Sequence, residues 1–293
     1  MKNVTASVNA PNVKDRALVA LGTLPPFSLI LNRLMASLAH EDVSFAKLAD
    51  LIEKDTVLAG NILRLVNSAL YGLRGTVNSI RHAIALLGLG KLRNATLSMS
   101  VARMWTQVKT PAGWSMNQFN LHSVAVAILA DAVTQRRATN YAEGDFAAGL
   151  FHDLGRLLVA LGLPQEYEQI AVLCHQSGKT PLEAETEALG ITHADLSAEA
   201  LAVWNLPEPI QTAVRYHSDA KLDPTVPDPG ELNLSMVLQA ADQYVRRIGI
   251  SVGLVEKMPA DEGPTLESIG LGDRLPTVIS EFENEFAAIK PYF

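Results

Sequence analysis

Histidine and aspartate side chains fall on the apolar faces of helix-periodic segments in the second half of the sequence. His122 lies three residues after Phe119 and four before Val126, so the three share one helix face, and that face is apolar. Asp242 has the same kind of position in a later segment. An ionised aspartate on an apolar face is costly unless it is paired, hydrogen-bonded or bound to a metal ion. The fold must therefore bring polar partners to these buried positions.

Capping residues and apolar periodicity divide the sequence into short helices. A side-chain oxygen that can cap a helix precedes an apolar-periodic segment at Ser44, Asp55, Ser79, Ser115 and Thr192. Alanine and leucine dominate the composition, and no segment alternates as a strand does. The predicted helices cover residues 24–38, 44–53, 55–72, 79–88, 91–105, 115–136, 145–161, 192–204, 207–217 and 231–248. We expect an all-α fold with no β-sheet beyond incidental pairs.

A segment of turn-forming residues separates the helices into two groups. Residues 106–114 contain Pro111 and Gly113 and form the expected boundary. We therefore expect two packed helical lobes, at residues 15–110 and 111–293, and the second includes a C-terminal tail. Residues 121–136, 149–161 and 231–248 should form the wall of one bundle, because they share a helical period and capping signals.

Charge and cysteine content restrict the function classes. The formal net charge is −7 and no dense Lys/Arg cluster is present, so direct binding to nucleic acid is not expected. Cys174 is the single cysteine, which excludes an internal disulfide and a thiolate zinc cluster and fits a reducing compartment. No segment has the length of an uncharged membrane span. We expect a cytoplasmic protein that does not associate with membranes.

The histidines and aspartates of the second half form a candidate ligand set for a divalent metal. A metal in a helical bundle is held by imidazole and carboxylate groups from several helices. The best-placed candidates are His122, the adjacent pair His152 and Asp153, and Asp242, and the further candidates, near helix ends, are His193 and His217. Fe, Mn, Zn and Mg are all compatible with this set. A metal-free hydrogen-bond network among the same residues is the alternative.

Gly149 and Gly155 flank His152 at a spacing of three residues on either side. Glycine inside a helix costs about 1 kcal/mol relative to alanine, so these positions indicate that something approaches the backbone closely. A ligand and a crossing helix would both require such glycines.

The order of the candidate ligands resembles the His…His-Asp…Asp pattern of the HD superfamily of metal-dependent phosphohydrolases. The pattern runs from His122, through Gly-Leu-Phe-His-Asp-Leu-Gly-Arg at 149–156, to Asp242. Further motifs resemble the HDOD family of bacterial signalling modules: Leu-Pro-Pro at 24–26, Asn-Ser-Ala-Leu-Tyr-Gly at 67–72, Ser-Ile-Arg-His-Ala-Ile at 79–84, Leu-Leu-Gly at 86–88, His-Ala-Asp at 193–195 and Trp-Asn-Leu-Pro at 204–207. The resemblance covers about residues 21–242 and, more weakly, the tail. Residues 15–250 are then expected to form one HDOD domain.

The resemblance implies an all-α protein whose second lobe is an HD-like helical bundle, with a role in bacterial signal transduction or regulation. It does not imply catalysis, because many members of the family have degraded HD sites. In the related HD-GYP phosphodiesterases, two adjacent histidines stand where this sequence has His217 and Ser218. Serine is a poor ligand for a borderline metal, so one metal position is in doubt.

Two functions are compatible with these residues. The favoured one is a regulatory module without catalysis, which presents a surface to protein partners and responds to a ligand such as a nucleotide in the HD cleft. The rival is a metal-dependent phosphohydrolase acting on a nucleotide or cyclic dinucleotide, in which Asp153 orients a metal-activated water. Arg156 and Arg215 are the candidate phosphate-binding cations, and pairing of both with carboxylates is the alternative.

Overall fold

The computed structural model describes residues 12–39, 44–68, 71, 75–141, 144–225, 227–252 and 264–293. The first helix, α1 (Val13–Val19), packs against the second lobe. The first lobe consists of α2 (Leu29–Ala39), α3 (Phe45–Glu53), α4 (Thr56–Val66), α5 (Ile80–Leu87) and α6 (Leu89–Trp105). Its buried residues belong to the same apolar core as those of the second lobe, so the two lobes are packed together.

The second lobe is also built only of helices in the described residues. They are α7 (Met116–Thr134), α8 (Asp145–Phe151), α9 (Leu154–Gly162), α10 (Pro164–Ser177), α11 (Pro181–Leu189), α12 (His193–Val203), α13 (Glu208–Tyr216), α14 (Leu234–Arg247) and α15 (Leu275–Ile289). An isolated bridge between Thr139 and Leu232 is the one β pairing in the described part of the chain. The predicted all-α fold in two packed lobes is confirmed.

The predicted N-caps are confirmed. Each of the five side chains accepts a hydrogen bond from the backbone amide three residues later, at Ser44, Asp55, Ser79, Ser115 and Thr192. Each cap satisfies one of the amides that the first turn of a helix leaves without a partner. The sequence therefore predicts these helix starts correctly.

The prediction of one helix over residues 145–161 was wrong, because the chain breaks at His152 and Asp153 between α8 and α9. The His152 ring donates from Nδ1 to the carbonyl of Gly149, at 2.7 Å, and so satisfies an oxygen at the end of α8. Asp153 lies at the N-cap of α9 but makes no side-chain cap there. Its carboxylate points into the bundle instead.

The helix predicted to reach residue 72 ends earlier, at Val66. Asn67 links the end of this helix to Val77. Its Nδ2 donates to the carbonyl of Val77 and its Oδ1 accepts from the backbone amide of Val77, each at 2.7 Å. Residues 72–74 lie outside the described part of the chain. The helix predicted from residue 231 begins at Leu234.

Helices α1, α10, α11 and α15 were not predicted. No residue of α10 is fully buried, and its apolar face is short: Tyr167 and Ile170 are partly buried against a small apolar cluster of the second lobe. The start of α11 does carry a sequence signal, since Thr180 and Glu183 form a capping box and Pro181, between them, occupies the first position of the helix.

No single described helix is both long and apolar enough to cross a membrane. The segment Asp145–Gly162, which comprises α8 and α9, is long and apolar enough only when it is counted together with Pro164–Ser177. The two segments meet at a bend of 115°.

The two glycines beside His152 lie where helices cross. A Cβ atom on Gly149 would be 2.6 Å from Cα of Ala127 in α7, and one on Gly155 would be 2.0 Å from the carbonyl oxygen of His193 in α12. The amide of Gly155 also donates to Ser197 Oγ of α12, at 2.7 Å. The close approach predicted from these glycines is a contact between helices.

Gly155→Ala should destabilise the protein by about 1 to 3 kcal/mol or more, because the added methyl group forces α9 away from α12. Gly60→Ala is the matched control, since a Cβ atom there meets nothing within 4 Å and alanine favours helix. Urea denaturation of both variants checks this. Equal stabilities for the two variants would contradict the packing described.

A half-buried carboxyl group lies where the lobes meet. Asn94 Nδ2 of α6 donates to Asp131 Oδ1 of α7, at 3.3 Å, and Lys91 of α6 pairs with Glu285 of α15, at 3.1 Å. Burial, together with the charges of Asp145 and Glu285, raises the pKa of Asp131 to about 7. Below about pH 7 the folded protein therefore favours the protonated form of this carboxyl group.

Asp131→Asn should stabilise the protein at pH 8.5 but not near pH 4. The pKa of Asp131 is raised in the folded state. The stability that its protonated carboxyl group contributes is therefore fully present below about pH 4 and is lost as pH rises through about 7. Asparagine cannot ionise, so the gain at high pH should be about 1 to 3 kcal/mol. Unfolding curves across this pH range measure it, and a gain that does not change with pH would show that ionisation of Asp131 is not its cause.

Candidate metal centre

The six predicted ligand residues meet in the second lobe. His122 comes from α7, His193 begins α12, and Asp242 lies on α14, while His152 and Asp153 form the break between α8 and α9. His217 follows α13 directly. All six are buried, and even Asp242, the most exposed of them, has only 7% of its surface accessible to solvent. Helix packing therefore gathers side chains that are up to 120 residues apart in sequence.

One half of the centre, which we call the open half, contains His122, His152, Asp153 Oδ2 and Asp242 Oδ1. His122 Nε2 lies 3.0 Å from Asp242 Oδ1, 3.2 Å from His152 Nε2 and 3.5 Å from Asp153 Oδ2. His152 Nε2 lies 3.6 Å from Asp153 Oδ2 and 3.8 Å from Asp242 Oδ1. Two imidazoles and two carboxylates thus face one small volume.

The other ring nitrogens show which atoms of the open half carry protons. Nδ1 of His122 donates to the carbonyl of Ile250, at 2.9 Å, and Nδ1 of His152 donates to Gly149. Each Nε2 of a neutral ring is then an acceptor. Asp153 Oδ2 is buried and has no hydrogen-bond partner in the described structure. Of these four atoms only Asp242 Oδ1 receives a donor, from Arg246 Nε at 2.8 Å. With both rings neutral, Asp153 Oδ2 and the two Nε2 atoms face one another without one, and a divalent metal fits this donor set.

The closed half, which contains Asp153 Oδ1, His193 and His217, already has donors. His193 Nε2 lies 3.1 Å and His217 Nε2 lies 3.8 Å from Asp153 Oδ1. Arg156 Nε donates to the same oxygen at 3.0 Å. His217 donates from Nδ1 to the carbonyl of Val214, so its Nε2 accepts from the Ser218 hydroxyl, at 3.2 Å. The closed half therefore has internal partners for its acceptor atoms.

Charge in the centre matches the states that metal ligands need. Burial would raise the pKa values of Asp153 and Asp242, but the adjacent Arg156 and Arg246 hold both well below the usual range. Burial and the neighbouring histidines lower the pKa of His217 well below its ordinary value. The carboxylates are thus ionised and His217 is neutral, as ligation requires.

Glu185 was not recognised as part of the centre from the sequence. It lies on α11, only 4% exposed, and its carboxylate accepts from Nδ1 and from the backbone amide of His193, at 2.7 and 2.8 Å. Burial acts against protonation of His193, but Glu185 and Asp153 raise its pKa. The capping box at Thr180 could have revealed α11, although nothing in the sequence pairs Glu185 with His193.

Arg246 was also missed, and Arg215 lies elsewhere. Arg246 Nε donates to Asp242 Oδ1 at 2.8 Å, and the spacing of four residues on one helix could have indicated this pair. Arg215 instead binds Asp195 and Glu199, at 3.0 and 2.9 Å, on the surface of the second lobe. It does not line the cleft that leads to the centre.

A cleft of about 380 Å³ leads to the centre. His193, His217 and Asp242 lie at its base, and the two arginines of the centre, Arg156 and Arg246, line it. The arrangement can hold a cation among the buried ligands and a small anionic group in front of them.

The chain matches a known family of protein domains. The family model of the HDOD domain matches residues 24–220. An uncharacterised protein of Treponema pallidum is 24% identical over 208 residues, which cover 71% of this chain and 39% of that protein. The chain thus spans about two fifths of the length of this relative.

Solved structures share the fold. An HDOD domain protein of unknown function from Geobacter sulfurreducens is 24% identical, with a TM-score of 0.75 over 96% of this chain and 98% of that chain. A putative phosphohydrolase from Shewanella amazonensis is 20% identical, with a TM-score of 0.68 over 94% and 97% of the two chains. A putative signal transduction protein from Marinobacter aquaeolei is 20% identical, with a TM-score of 0.67 over 96% of this chain and 61% of that one.

Chelator should lower the melting temperature of the native protein, because an ion bound only to the folded state adds stability by mass action. Asp242→Ala should lose this response and cost about 1 to 3 kcal/mol, since the guanidinium of Arg246 loses its acceptor. Asp273→Ala, an exposed aspartate far along the chain, should keep the response. Melting curves with and without chelator test this. A native curve unchanged by chelator, from protein that stays empty after incubation with manganese, iron or zinc, would exclude the metal.

Proposed function

Because the chain belongs to the HDOD domain family, we propose that it is a bacterial signal-transduction module that binds protein partners and holds one divalent ion without turning over a substrate. The family assignment supports the signalling role. The solved relatives share the fold and include a putative signal transduction protein. The buried centre supports the response to an ion.

The observation that carries the metal proposal is the unpartnered Asp153 Oδ2 among three other acceptors. His122, His152, Asp153 and Asp242 would hold the ion. Their fixed tautomers orient the Nε2 lone pairs before any ion arrives, since backbone carbonyls accept from both Nδ1 atoms. A divalent ion bound there would polarise an oxygen ligand and lower the pKa of water.

The closed half supports the lack of turnover. A pair of metal ions in phosphoryl transfer stabilises both the attacking and the leaving oxygen. Here Arg156 donates to the oxygen of Asp153 that a second ion would need, and the Ser218 hydroxyl donates to His217. Both contacts disfavour a second ion, so a pair of metals is not expected.

The alternative function is a metal-dependent phosphohydrolase acting on a nucleotide or cyclic dinucleotide. One observation favours it, namely the cleft that places Arg156 and Arg246 in front of the ligands, where cations can bind phosphate. The putative phosphohydrolase from Shewanella amazonensis has the same fold. In this alternative Asp153 would orient the attacking water.

Purified protein supplied with manganese or iron should bind about one ion per chain and should not hydrolyse cyclic dinucleotides, because one ion lacks the second charge that stabilises the leaving oxygen. Metal analysis and product chromatography measure the two quantities. Ser218→His, which removes the hydroxyl donor and adds an imidazole, should raise the metal content. Turnover by the native protein that His152→Ala or Asp153→Ala abolishes would replace this proposal with the hydrolase.

A further inference from the structure

Arg246 contacts the open half of the centre from the helix that carries Asp242. Its Nε donates to Asp242 Oδ1 at 2.8 Å, and its Nη2 lies 3.9 Å from the unpartnered Asp153 Oδ2. The side chain is only 10% exposed. One guanidinium therefore lies against the carboxylates of both aspartates.

The same carboxylate oxygen has two uses. Asp242 Oδ1 accepts from Arg246 and also lies 3.0 Å from His122 Nε2, among the atoms that would hold the ion. A guanidinium and a divalent ion on one buried oxygen repel each other strongly, because little water screens them. Binding one cation must therefore weaken or displace the other.

Arg156 differs from Arg246 in this respect. It binds Asp153 Oδ1, which belongs to the closed half, and leaves Oδ2 to the open half. An ion in the open half does not need the oxygen that Arg156 occupies. Competition is thus specific to Arg246.

The cleft gives a displaced Arg246 a place to go. Arg246 and Gln243 line it together with Arg156, and Gln243 Oε1 is a buried oxygen without a hydrogen-bond partner. The planar guanidinium carries five N–H donors in a geometry that suits phosphate and carboxylate groups. Glu183 and Asp219 also line the cleft. Beside a bound cation, the two arginines would nevertheless make this mouth a receptor for a small anion.

We propose that Arg246 is an internal cation that competes with the divalent ion for Asp242, and that ion binding turns its guanidinium into the cleft as a receptor for a tetrahedral oxyanion. This inference rests on the proposed ion in the open half. Because coupling between two sites is reciprocal, the oxyanion should tighten ion binding by the same factor by which the ion tightens oxyanion binding. The centre would then report the ion and the anion jointly.

Calorimetric titration with manganese tests the competition. Arg246→Gln should tighten manganese binding by about tenfold or more, which is within the usual range of coupling between sites. Arg246→Lys keeps the charge and should stay within about threefold of the native affinity. Arg247→Gln is the matched control, because Arg247 is the exposed neighbour on the same helix. Melting curves without metal verify that each variant is folded.

The outcomes separate this inference from the proposed function. Native protein that binds manganese, with equal or weaker binding by Arg246→Gln, would overturn the competition and leave the metal centre standing. If neither protein binds manganese, the metal centre fails, and the competition fails with it, because removing the guanidinium should have opened the site.

Titration with sulfate and with methyl phosphate tests the receptor. Either anion should bind the native protein about tenfold more tightly in the presence of manganese, and Arg246→Gln should lose that gain. Sulfate represents a free oxyanion and methyl phosphate a phosphomonoester, so their ratio identifies the preferred source. Binding of neither anion, or equal binding with and without manganese, would overturn the receptor.

Discussion

The carboxylate of Asp153 connects the two halves of the buried centre, and the surrounding helices depend on where it lies. Oδ2 faces the imidazoles of His122 and His152, while Oδ1 faces His193 and accepts from Arg156. A fully buried carboxylate is tolerated only when its surroundings supply positive charge or donors. The bundle supplies them on the Oδ1 side and leaves the Oδ2 side to a cation.

Two glycines allow this carboxylate to be surrounded. Gly149 lets α7 approach to within contact of α8, which brings His122 next to His152. Gly155 lets the start of α12 lie against α9, which brings His193 to Asp153. The spacing of three residues on either side of His152 therefore has a geometric cause: one glycine serves each half of the centre.

Sequence reasoning identified the parts of this protein that depend on local rules. N-caps and apolar faces follow from contacts within a few residues, so Ser115 and the inward position of His122 were predictable. The break in the helix at His152 was not predictable. The His152 ring binds the carbonyl of Gly149, and the carboxylate of Asp153 turns to His193, a contact that depends on tertiary packing. Glu185 could not be assigned because its partner, His193, follows an unpredicted helix whose orientation depends on tertiary packing.

The asymmetry of the centre bears on how such a module can act as a switch. The closed half satisfies its own polar groups, so α9, α11 and α12 can pack without an ion. The open half joins α7 to α14 through His122 and Asp242, and there a cation changes the balance of charge. An ion that the whole bundle needed in order to fold would be structural and could carry no signal. An ion that acts on part of an already folded bundle instead shifts the populations of its conformations. Restricting the unmet acceptors to one half is therefore compatible with the signalling role proposed for the chain.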